Sequence, residues 1–390
     1  MSISISPLVA QAEFPPIAEA MSWIKPMPHA RELINMCQAV PSYPPATSLQ
    51  EEIARLAHAP TMGGYTDIFG ISLLREVFAA HSSADYGATI NPADVAITTG
   101  CNQAFAAAVM AVAKADDNVV MPAPFYFNHN MWAGMLGIEV KAIPAFSGAA
   151  QYPDVEQARA AINAKTRAIV LCSPNNPSGA IYPALVLKSF FDLARDHGIA
   201  LILDETYKDF RADALPAHDL FGQDDWRETL IHLYSFSKIY ALAGYRLGAM
   251  IAGSKFLHEA AKILDCMTIC PPQISQRAVL FGLTNLDVWK SEKKQLMRER
   301  LEALRMAFKA NSLKYELVSS GAYFAYVKHP FVGEKSKSVA MRLARENDVL
   351  CLPGSMFGPG QEDHLRFAFA NVGAEKMPEL VARLIESHIG

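Results

Sequence analysis

The sequence predicts an α/β fold, in which a large domain has a mainly parallel (mixed) seven-stranded sheet between helices and a smaller α+β domain follows. Between residues 95 and 251, seven short apolar runs recur, and amphipathic segments rich in Ala and Leu separate most of them. Strands that alternate with helices form βα units and a sheet that is covered on both faces. After about residue 255 the pattern changes to one long charged helix followed by short strand-like pieces.

The elements follow from these patterns. The sheet strands are predicted at Val95–Thr98, Asn118–Met121, Glu139–Ile143, Ala168–Cys172, Ala200–Leu203, Thr229–Leu233 and Gly248–Ile251. The clearest helices between them are Gln103–Ala113 and Leu185–His197. The second part predicts a helix, three strands and a last helix at Asp287–Ala310, Tyr315–Val318, Tyr323–Val327, His364–Ala368 and near Ala374–Ser387. We therefore expect an N-terminal arm that joins the small domain (1–45), a large domain (46–270) and a small domain (271–390).

Composition narrows the class of protein. The 390 residues are 51% hydrophobic and 19% charged, with a net charge of -4, as expected of a globular enzyme. The sequence has no dense run of Lys and Arg, so nucleic-acid binding is not expected. The sequence has no apolar stretch of about eighteen residues, so a membrane span is not expected. The first residues do not resemble a signal peptide, and a cytoplasmic protein is therefore expected. The six cysteines form no CxxC pair and the histidines no HExxH motif, so no metal is expected.

The segment around Lys238 carries the strongest chemical signal. Lys238 follows an apolar strand, Ser235 and Ser237 flank it, and Arg246 comes shortly after. A lysine amine condenses with a carbonyl group, so a buried lysine at the carboxyl edge of a sheet suits an aldehyde cofactor. The two hydroxyl groups and the guanidinium could bind a phosphate. Taken alone, Ser-x-Ser-Lys also suits a solvent-exposed lysine at the end of a strand.

A second segment places Asp204 at the end of an apolar run and Tyr207 three residues later. A buried carboxylate is costly unless it meets a cation, and a protonated pyridine nitrogen would serve. Tyr207 could then hydrogen-bond a phenolic oxygen of the same ring. The alternative for Asp204 is an N-cap at a strand-to-helix turn.

Three further turns follow predicted strands. Asn176 lies in a turn with two prolines and a glycine, where its side-chain amide could donate to the same phenolic oxygen. Cys101 and Asn102 begin an Ala-rich helix, whose free amides and dipole attract a phosphate. Tyr126 lies in a Pro-Phe-Tyr-Phe segment that offers aromatic faces for stacking on a ring.

Together these residues resemble the fold-type-I, class I/II pyridoxal-phosphate aminotransferases, over roughly Ile34 to Phe369. The matching pieces occur in the family's order: Tyr65…Gly70…Leu74-Arg75, Gly100-Cys101-Asn102, Pro124-Phe125-Tyr126, Asn175-Asn176-Pro177-Ser178-Gly179, Asp204-Glu205-Thr206-Tyr207, Ser235-Phe236-Ser237-Lys238, Arg246 and Arg366. Each piece is modest evidence, but eight in order are specific.

The resemblance implies pyridoxal 5'-phosphate as the cofactor and a role for each position. Lys238 would carry the cofactor as a Schiff base and move the proton, with Asp204 on the ring nitrogen and Tyr207 and Asn176 on the ring oxygen. Tyr126 would stack on the ring. The phosphate would be held by Cys101, Asn102, Ser235, Ser237 and Arg246. Arg366 would bind the substrate α-carboxylate, and Tyr65 would reach the partner's phosphate in a homodimer with shared active sites.

Two positions depart from the family pattern. Ala39 stands where many relatives have glycine and could narrow the space beside the substrate, and Cys101 stands where Ser, Ala or Gly is common. We interpret both departures as changes that tune substrate specificity rather than as a loss of function. Aromatic and imidazole side chains that could line an apolar pocket, or equally belong to the core, are Trp23, Tyr126, His129, Trp132 and Tyr323.

The expected reaction transfers an amino group between an L-amino acid and a 2-oxo acid by a ping-pong mechanism. The alternative is another fold-type-I activity, such as a carbon–sulfur β-lyase, a decarboxylase or a synthase, because these share the cofactor residues. Arg366 argues against decarboxylation. A ligand-sensing domain of a transcription regulator would need a basic helix-turn-helix, which is not seen, and a nicotinamide dehydrogenase would need the GxGxxG fingerprint. The amino acid itself cannot be named from the sequence.

Overall fold

The structure, a computed structural model, describes residues 3–24, 31–146, 150–211 and 216–389. In these residues the α-helices are α1 Pro7–Gln11, α2 Pro16–Met21, α3 Thr47–Ala57, α4 Ser72–Tyr86, α5 Cys101–Val112, α6 Phe127–Met135, α7 Val155–Ala161, α8 Ala184–Asp196, α9 Trp226–Thr229, α10 Phe236–Ile239, α11 Ser254–Thr268, α12 Gln273–Asn285, α13 Asp287–Ala307, α14 Ser336–Glu346 and α15 Met377–Glu386. The strands are β1 Ile34–Asn35, β2 Val95–Thr98, β3 Asn118–Ala123, β4 Glu139–Pro144, β5 Thr166–Cys172, β6 Ala200–Asp204, β7 Leu230–Ser235, β8 Gly248–Ile251, β9 Glu316–Gly321, β10 Phe324–Lys328, β11 Val349–Leu350, β12 Leu352–Pro353 and β13 His364–Ala368.

The large sheet has seven strands in the order β2-β8-β7-β6-β5-β3-β4. Strand β8 runs antiparallel to both of its neighbours, β2 and β7, and the other pairs are parallel. The predicted mainly parallel, mixed seven-stranded sheet is therefore confirmed.

Alternate side chains of each central strand pack into two different cores, because successive residues of a strand point to opposite faces. In β5, Ile169 and Leu171 belong to one hydrophobic cluster, whereas Ala168 and Val170 belong to the other. Helix α5 covers the second face, to which it contributes Phe105. Burial on both faces explains why these strands are continuous apolar runs rather than alternating patterns.

The parallel arrangement brings the chemically interesting segments to one edge of the sheet. Strands β2, β3, β5, β6 and β7 all run in the same direction, so their carboxyl ends lie together. Each of these ends is followed by a segment that the sequence singled out. In open α/β sheets, ligands bind in the crevice outside this edge.

The smaller α+β part has a four-stranded antiparallel sheet in the order β12-β13-β10-β9. Strand β1, from the N-terminal region, pairs in parallel with β11. The core beneath these strands includes Leu343 of α14, Phe367 of β13 and Leu384 of α15, all fully buried. The predicted strand at Tyr315–Val318 extends further, to Gly321, because Ser319, Ser320 and Gly321 pair with β10 in a hairpin.

The turn after strand β5 meets strand β9 backbone to backbone at Gly179 and Gly321. A Cβ atom on Gly179, which has φ +71°, would collide with the backbone nitrogen and oxygen of Gly321, and a Cβ on Gly321 would collide with the carbonyl oxygen of Gly179. Only glycine permits so close an approach at both positions.

The predicted domain limits stay a prediction. Helix α12 packs against α3 and α4, which favours placing the second boundary after Asn285 rather than at residue 270. The predicted arm includes residues 1, 2 and 25–30, which lie outside the described residues. Among the described helices, none combines the length and the apolar composition that crossing a membrane requires.

Candidate active site

One cavity of about 470 Å³, at the carboxyl edge of the large sheet, brings together every residue predicted to bind the cofactor or the substrate, except Tyr65. Its lining includes Ala39, Cys101, Asn102, Tyr126, Asn176, Asp204, Tyr207, Ser235, Ser237, Lys238, Arg246 and Arg366. A larger cavity of about 600 Å³ lies near the amino ends of β5, β6 and β7 and contains none of them. We therefore place the candidate active site in the smaller cavity, where the titratable groups converge.

Lys238 lies in the short helix α10, directly after strand β7. Its Nζ donates a hydrogen bond to the carbonyl oxygen of Ala39 at 2.7 Å and lies 5.7 Å from the ring centre of Tyr207. Burial, and then the positive charges of Arg246 and Arg366, lower the pKa of Lys238 to about 8. The neutral, nucleophilic form of this amine is therefore much more populated near neutral pH than that of an ordinary lysine.

Asp204 is the last residue of strand β6 and is 3% exposed. One carboxylate oxygen accepts a hydrogen bond from the backbone N–H of Thr206 at 2.9 Å, and the other lies 3.3 Å from Nε2 of His129. Burial alone would raise the pKa of Asp204, but the hydrogen bonds and charge of His129, together with Thr206, hold it below its ordinary value. The cavity thus contains an ionised, oriented carboxylate.

His129 contacts Asp204, which the sequence does not indicate, because the sequence suggests His129 only for an apolar wall or for the core. Its ring is 3% exposed and stacks on Phe105, with ring centres 4.0 Å apart. The available signal was its spacing from Tyr126, because residues three apart at the start of helix α6 share a face. The ring centres of Tyr126 and His129 lie 5.2 Å apart.

Another part of the cavity suits a phosphate. Helix α5, twelve residues long, begins at Cys101 after Gly100, which has φ +80°. A Cβ on Gly100 would lie 2.6 Å from Nη2 of Arg246, so the guanidinium packs directly on this glycine. Ser235 accepts a hydrogen bond from the N–H of Ser237 at 3.3 Å. Free amides of α5, two hydroxyl groups and a guanidinium form a donor set for an anion.

Arg366, in strand β13, reaches the cavity from the small sheet and is 1% exposed. Its Nη1 donates to Oδ1 of Asn176 at 3.1 Å, and its Nη2 donates to the carbonyl oxygen of Cys37. The guanidinium also lies 5.1 Å from the ring of Phe324. Its Nε has no hydrogen-bond partner among the described residues, so this buried cation retains a donor for a carboxylate.

Two tyrosine hydroxyl groups remain protonated in the cavity. Burial raises the pKa of Tyr126 to about 12, although a hydrogen bond with Asn102 lowers this pKa in part. Burial also raises the pKa of Tyr207 well above its ordinary value. Both residues can therefore donate hydrogen bonds at neutral pH.

Tyr65 lies outside this cavity, and its side chain is 81% exposed. The neighbouring residue Thr66 is held by Cys270, which accepts its N–H at 3.3 Å, and by Gln276, which donates to its hydroxyl at 3.0 Å. The predicted contact of Tyr65 with a partner's phosphate stays a prediction. Cavity residues that the sequence did not assign to the site are Ile17, Gln38, Val40, Phe127, Cys172, Thr206, Ala243 and Gly244.

The residues present fit pyridoxal phosphate. The cavity contains an amine of lowered pKa, an ionised carboxylate, protonated phenols and a separate anion-binding end with a glycine against which Arg246 packs. These groups match an aldehyde, a ring nitrogen, a ring oxygen and a phosphate, respectively.

Comparison with known proteins agrees with this chemistry. The family model described as aminotransferase class I and II matches residues 31–384. An aromatic aminotransferase of Arabidopsis thaliana is 27% identical, over 90% of this chain and 88% of that protein. An aspartate aminotransferase of Thermotoga maritima is 28% identical, over 94% and 93%.

Solved structures agree as well. The structure of an aspartate aminotransferase from Thermotoga maritima has a TM-score of 0.88 at 26% identity and covers 99% of this chain and 100% of that one. The aspartate aminotransferase from Thermus thermophilus with maleate has a TM-score of 0.89 at 24% identity, with the same coverage, and shows the same fold. The chain belongs to the class I and II aminotransferase family.

Proposed function

We propose that this pyridoxal-phosphate-dependent aminotransferase acts through Lys238, Asp204 and Arg366 on an L-amino acid and a 2-oxo acid. The observation that carries the residue roles is their convergence in one cavity, where an amine with a pKa of about 8 lies with a buried carboxylate and a buried guanidinium. The relatives are named aminotransferases, which does not favour a β-lyase.

Each group of cofactor-binding residues would contact a different part of pyridoxal phosphate. Pyridoxal phosphate supplies an aldehyde carbon and an electron-withdrawing ring when it is bound. Asp204, kept ionised by His129, would pair with the ring nitrogen. Tyr207 and Asn176 would donate to the ring oxygen, and Tyr126 would stack on the ring. Cys101, Asn102, Ser235, Ser237 and Arg246 would hold the phosphate, with Tyr65 of a second copy beside them.

The substrate would be held at its carboxylate. Arg366 has a free buried Nε, and Asn176 already orients its guanidinium. A carboxylate bound there places the substrate Cα–H bond towards Lys238, whose Nζ then removes the proton and later returns it as an acid. Because Lys238 is neutral at a lower pH than ordinary lysines, it can act in both directions near neutral pH.

Substrate identity, assembly and location stay proposals. The relatives are named for aspartate or for aromatic amino acids, and Ala39, whose carbonyl oxygen accepts the hydrogen bond of Lys238, would narrow the space beside the substrate. A homodimer with shared active sites is proposed from the sequence match at Tyr65, and light scattering of the purified enzyme tests it. A cytoplasmic location rests on the sequence alone.

The direct test uses purified protein with added pyridoxal phosphate and single amino acids. We expect an absorbance band of lysine-linked cofactor that disappears as each good substrate forms its 2-oxo acid. Lys238→Ala should abolish the band and turnover, whereas Lys262→Ala, which removes an exposed lysine, should keep both. Release of pyruvate and ammonia with the band intact would instead indicate β-elimination, and full turnover by Lys238→Ala would contradict the assignment.

A further inference from the structure

Behind the turn that follows strand β6 lies a buried polar cluster that the proposed reaction does not use. Glu205 is fully buried, and its Oε2 lies 3.0 Å from Nε2 of His232 and 3.3 Å from Nε2 of His218. The hydroxyl of Tyr86, at the end of helix α4, donates to the same oxygen. We refer to Glu205, His218, His232 and Tyr86 as the Glu205 cluster.

The hydrogen-bond directions in the Glu205 cluster follow from its geometry. Nδ1 of His218 accepts the backbone N–H of Leu220 at 3.2 Å, so the proton of a neutral His218 ring lies on Nε2 and points at Glu205. Burial acts to raise the pKa of Glu205, but His218 and then His232 hold it well below its ordinary value. Burial lowers the pKa of His232. The cluster is therefore a buried carboxylate that three donors from separate segments surround.

No cation-binding role accounts for this arrangement. In the described parts of the chain, no three His, Cys, Asp or Glu side chains are placed to hold a metal ion. The cluster also lies outside the active-site cavity, since none of its four residues lines it. A buried carboxylate that binds neither metal nor substrate most directly serves to fix the backbone to which it belongs.

That backbone carries the cofactor residues. Glu205 follows Asp204 directly, and successive side chains of an extended segment point to opposite sides, so Asp204 faces the cavity while Glu205 faces the cluster. The N–H of Glu205 donates to the carbonyl oxygen of Leu233 at 2.9 Å, and the carbonyl of Asp204 accepts from Ser173 at 3.0 Å. The turn is thus held by its backbone on both sides and by the cluster from behind.

The next residues of the turn repeat this division. Lys208 Nζ lies 2.5 Å from the carboxylate of Asp85 in α4, and Asp209 accepts the hydroxyl of Tyr234 in β7 at 2.5 Å. Tyr207, between Glu205 and these anchors, lines the cavity. The side chains of Glu205, Lys208 and Asp209 are therefore held on the side of the turn away from the cavity, whereas those of Asp204 and Tyr207 line the cavity.

We propose that Glu205 is a positioning residue for the cofactor, because its three buried donors fix the turn that presents Asp204 and Tyr207 to the ring. This inference rests on the proposed function. It concerns placement only: Glu205 contacts neither substrate nor cofactor. Outer-shell partners of this kind typically change affinity or activity by about 10- to 100-fold when they are removed.

The test compares Glu205→Gln with Asp94→Asn. Asp94 is also a buried carboxylate, 3% exposed, and pairs with Arg227 at 2.8 Å, but it lies before strand β2 and outside the cavity. Both substitutions remove one paired buried charge, so both should lower the melting temperature. Three quantities are measured for each variant: the dissociation constant of pyridoxal phosphate from fluorescence quenching of the apoprotein, the pH titration of the bound cofactor's absorbance, and kcat with KM.

We expect Glu205→Gln to weaken cofactor binding, to shift the absorbance titration and to lower kcat, each change in affinity or rate being about tenfold or more, with KM little changed. Asp94→Asn should leave these quantities as in the wild type. Tyr86→Phe removes one donor to Glu205 without altering the turn, and it should change cofactor affinity, absorbance titration and kcat in the same direction but by less. This variant allows the test to be made even if Glu205→Gln does not fold.

The inference is overturned if Glu205→Gln and Tyr86→Phe lower the melting temperature but leave cofactor affinity and absorbance titration unchanged, as in Asp94→Asn. That result differs from failure of the proposed function. In the latter case the wild type itself forms no lysine-linked cofactor band, or Lys238→Ala keeps turnover, and the positioning role fails with it.

Discussion

Arg366 and Asn176 are joined by a hydrogen bond of 3.1 Å between Nη1 and Oδ1, although 190 residues separate them in the chain. The bond connects strand β13 of the small sheet with the turn after strand β5 of the large one. It fixes the plane of a guanidinium that is otherwise surrounded by the carbonyl of Cys37 and the rings of Phe324 and Phe357. The proposed carboxylate site is therefore assembled from both sheets.

Arg366→Lys should raise KM for every amino acid and 2-oxo acid. A lysine ammonium does not reproduce the donor directions of the planar guanidinium, and losing one charge-assisted hydrogen bond costs about 1.5–3 kcal/mol, or roughly 10- to 100-fold in KM. Steady-state kinetics with several substrates measures the change. Arg159→Lys, on the surface of helix α7, is the control and should behave as the wild type. An unchanged KM in Arg366→Lys would contradict the assignment.

His129→Phe should raise the pKa of Asp204. The ring stacking on Phe105 can persist, but the donor at 3.3 Å is lost. Because His129 holds the folded-state pKa of Asp204 below its ordinary value, the pair stabilises the fold at neutral pH, and this stability is lost as the pH falls through the lowered pKa. The variant should therefore lose melting temperature mainly at neutral pH and less in acid.

Thermal melts across about pH 2 to 8 test this expectation, because the wild type loses this stability below the ordinary pKa of an aspartate. The exposed His58 offers a matched control, since His58→Asn should leave the wild-type profile unchanged. A uniform loss of stability at every pH would show that His129 acts through packing alone.

The free amine of Lys238 should titrate near pH 8. Burial and the charges of Arg246 and Arg366 favour its neutral form, so the rate at which apoprotein takes up pyridoxal should rise with pH and level off above this value. Arg246→Gln removes one of these charges, should raise the pKa and should move the rise to higher pH. Pyridoxal without its phosphate is used so that lost phosphate binding does not affect the comparison. A rate that keeps rising to the pKa of an ordinary lysine would contradict the expectation.

Gly100→Ala should weaken binding of pyridoxal phosphate more than that of pyridoxal. The new Cβ would lie 2.6 Å from Nη2 of Arg246 and would displace the guanidinium from the phosphate end. Gly87→Ala is the matched control, because Gly87 also has a positive φ, +62°, but nothing lies within 4 Å of the added atom. An alanine in the left-handed region of Gly87 costs about 1 kcal/mol, and one at Gly100 costs more, because φ +80° with ψ 164° is a region that only glycine adopts readily. The two variants are therefore compared by the ratio of their affinities for pyridoxal phosphate and pyridoxal. Equal ratios of these affinities in the two variants would contradict the expectation that Arg246 must pack on Gly100 to bind the phosphate.

Much of the fold was predictable because the central strands are buried on both faces and therefore read as apolar runs. The seven predicted strands match β2 to β8 within about two residues, a normal uncertainty for element ends. The strands β1, β11 and β12 have only two residues each, too few for any periodic pattern, and they were not predicted. Helix α12 packs on α3 and α4 across long sequence separations, which no local pattern reveals.

The convergence of Asp204, Tyr207 and Lys238 could be predicted for the same reason, since each lies at the end of a recognisable strand or within three residues of it. The partners behind these residues could not be predicted. Neither the contact between His129 and Asp204 nor that between His232 and Glu205 leaves a local signature, because each joins side chains from different strands or helices. Tyr65 is exposed and does not line the active-site cavity, so its proposed contact with a partner's phosphate stays a prediction.

The contact between Gly179 and Gly321 limits which sequences can adopt this fold. Because no Cβ fits at either position, a side chain at either one would push the turn after β5 away from strand β9. Asn176 lies in the same turn as Gly179, and Arg366 lies two strands from Gly321 in the small sheet. A substitution at either glycine would therefore reach the carboxylate site indirectly, by shifting Asn176 relative to Arg366.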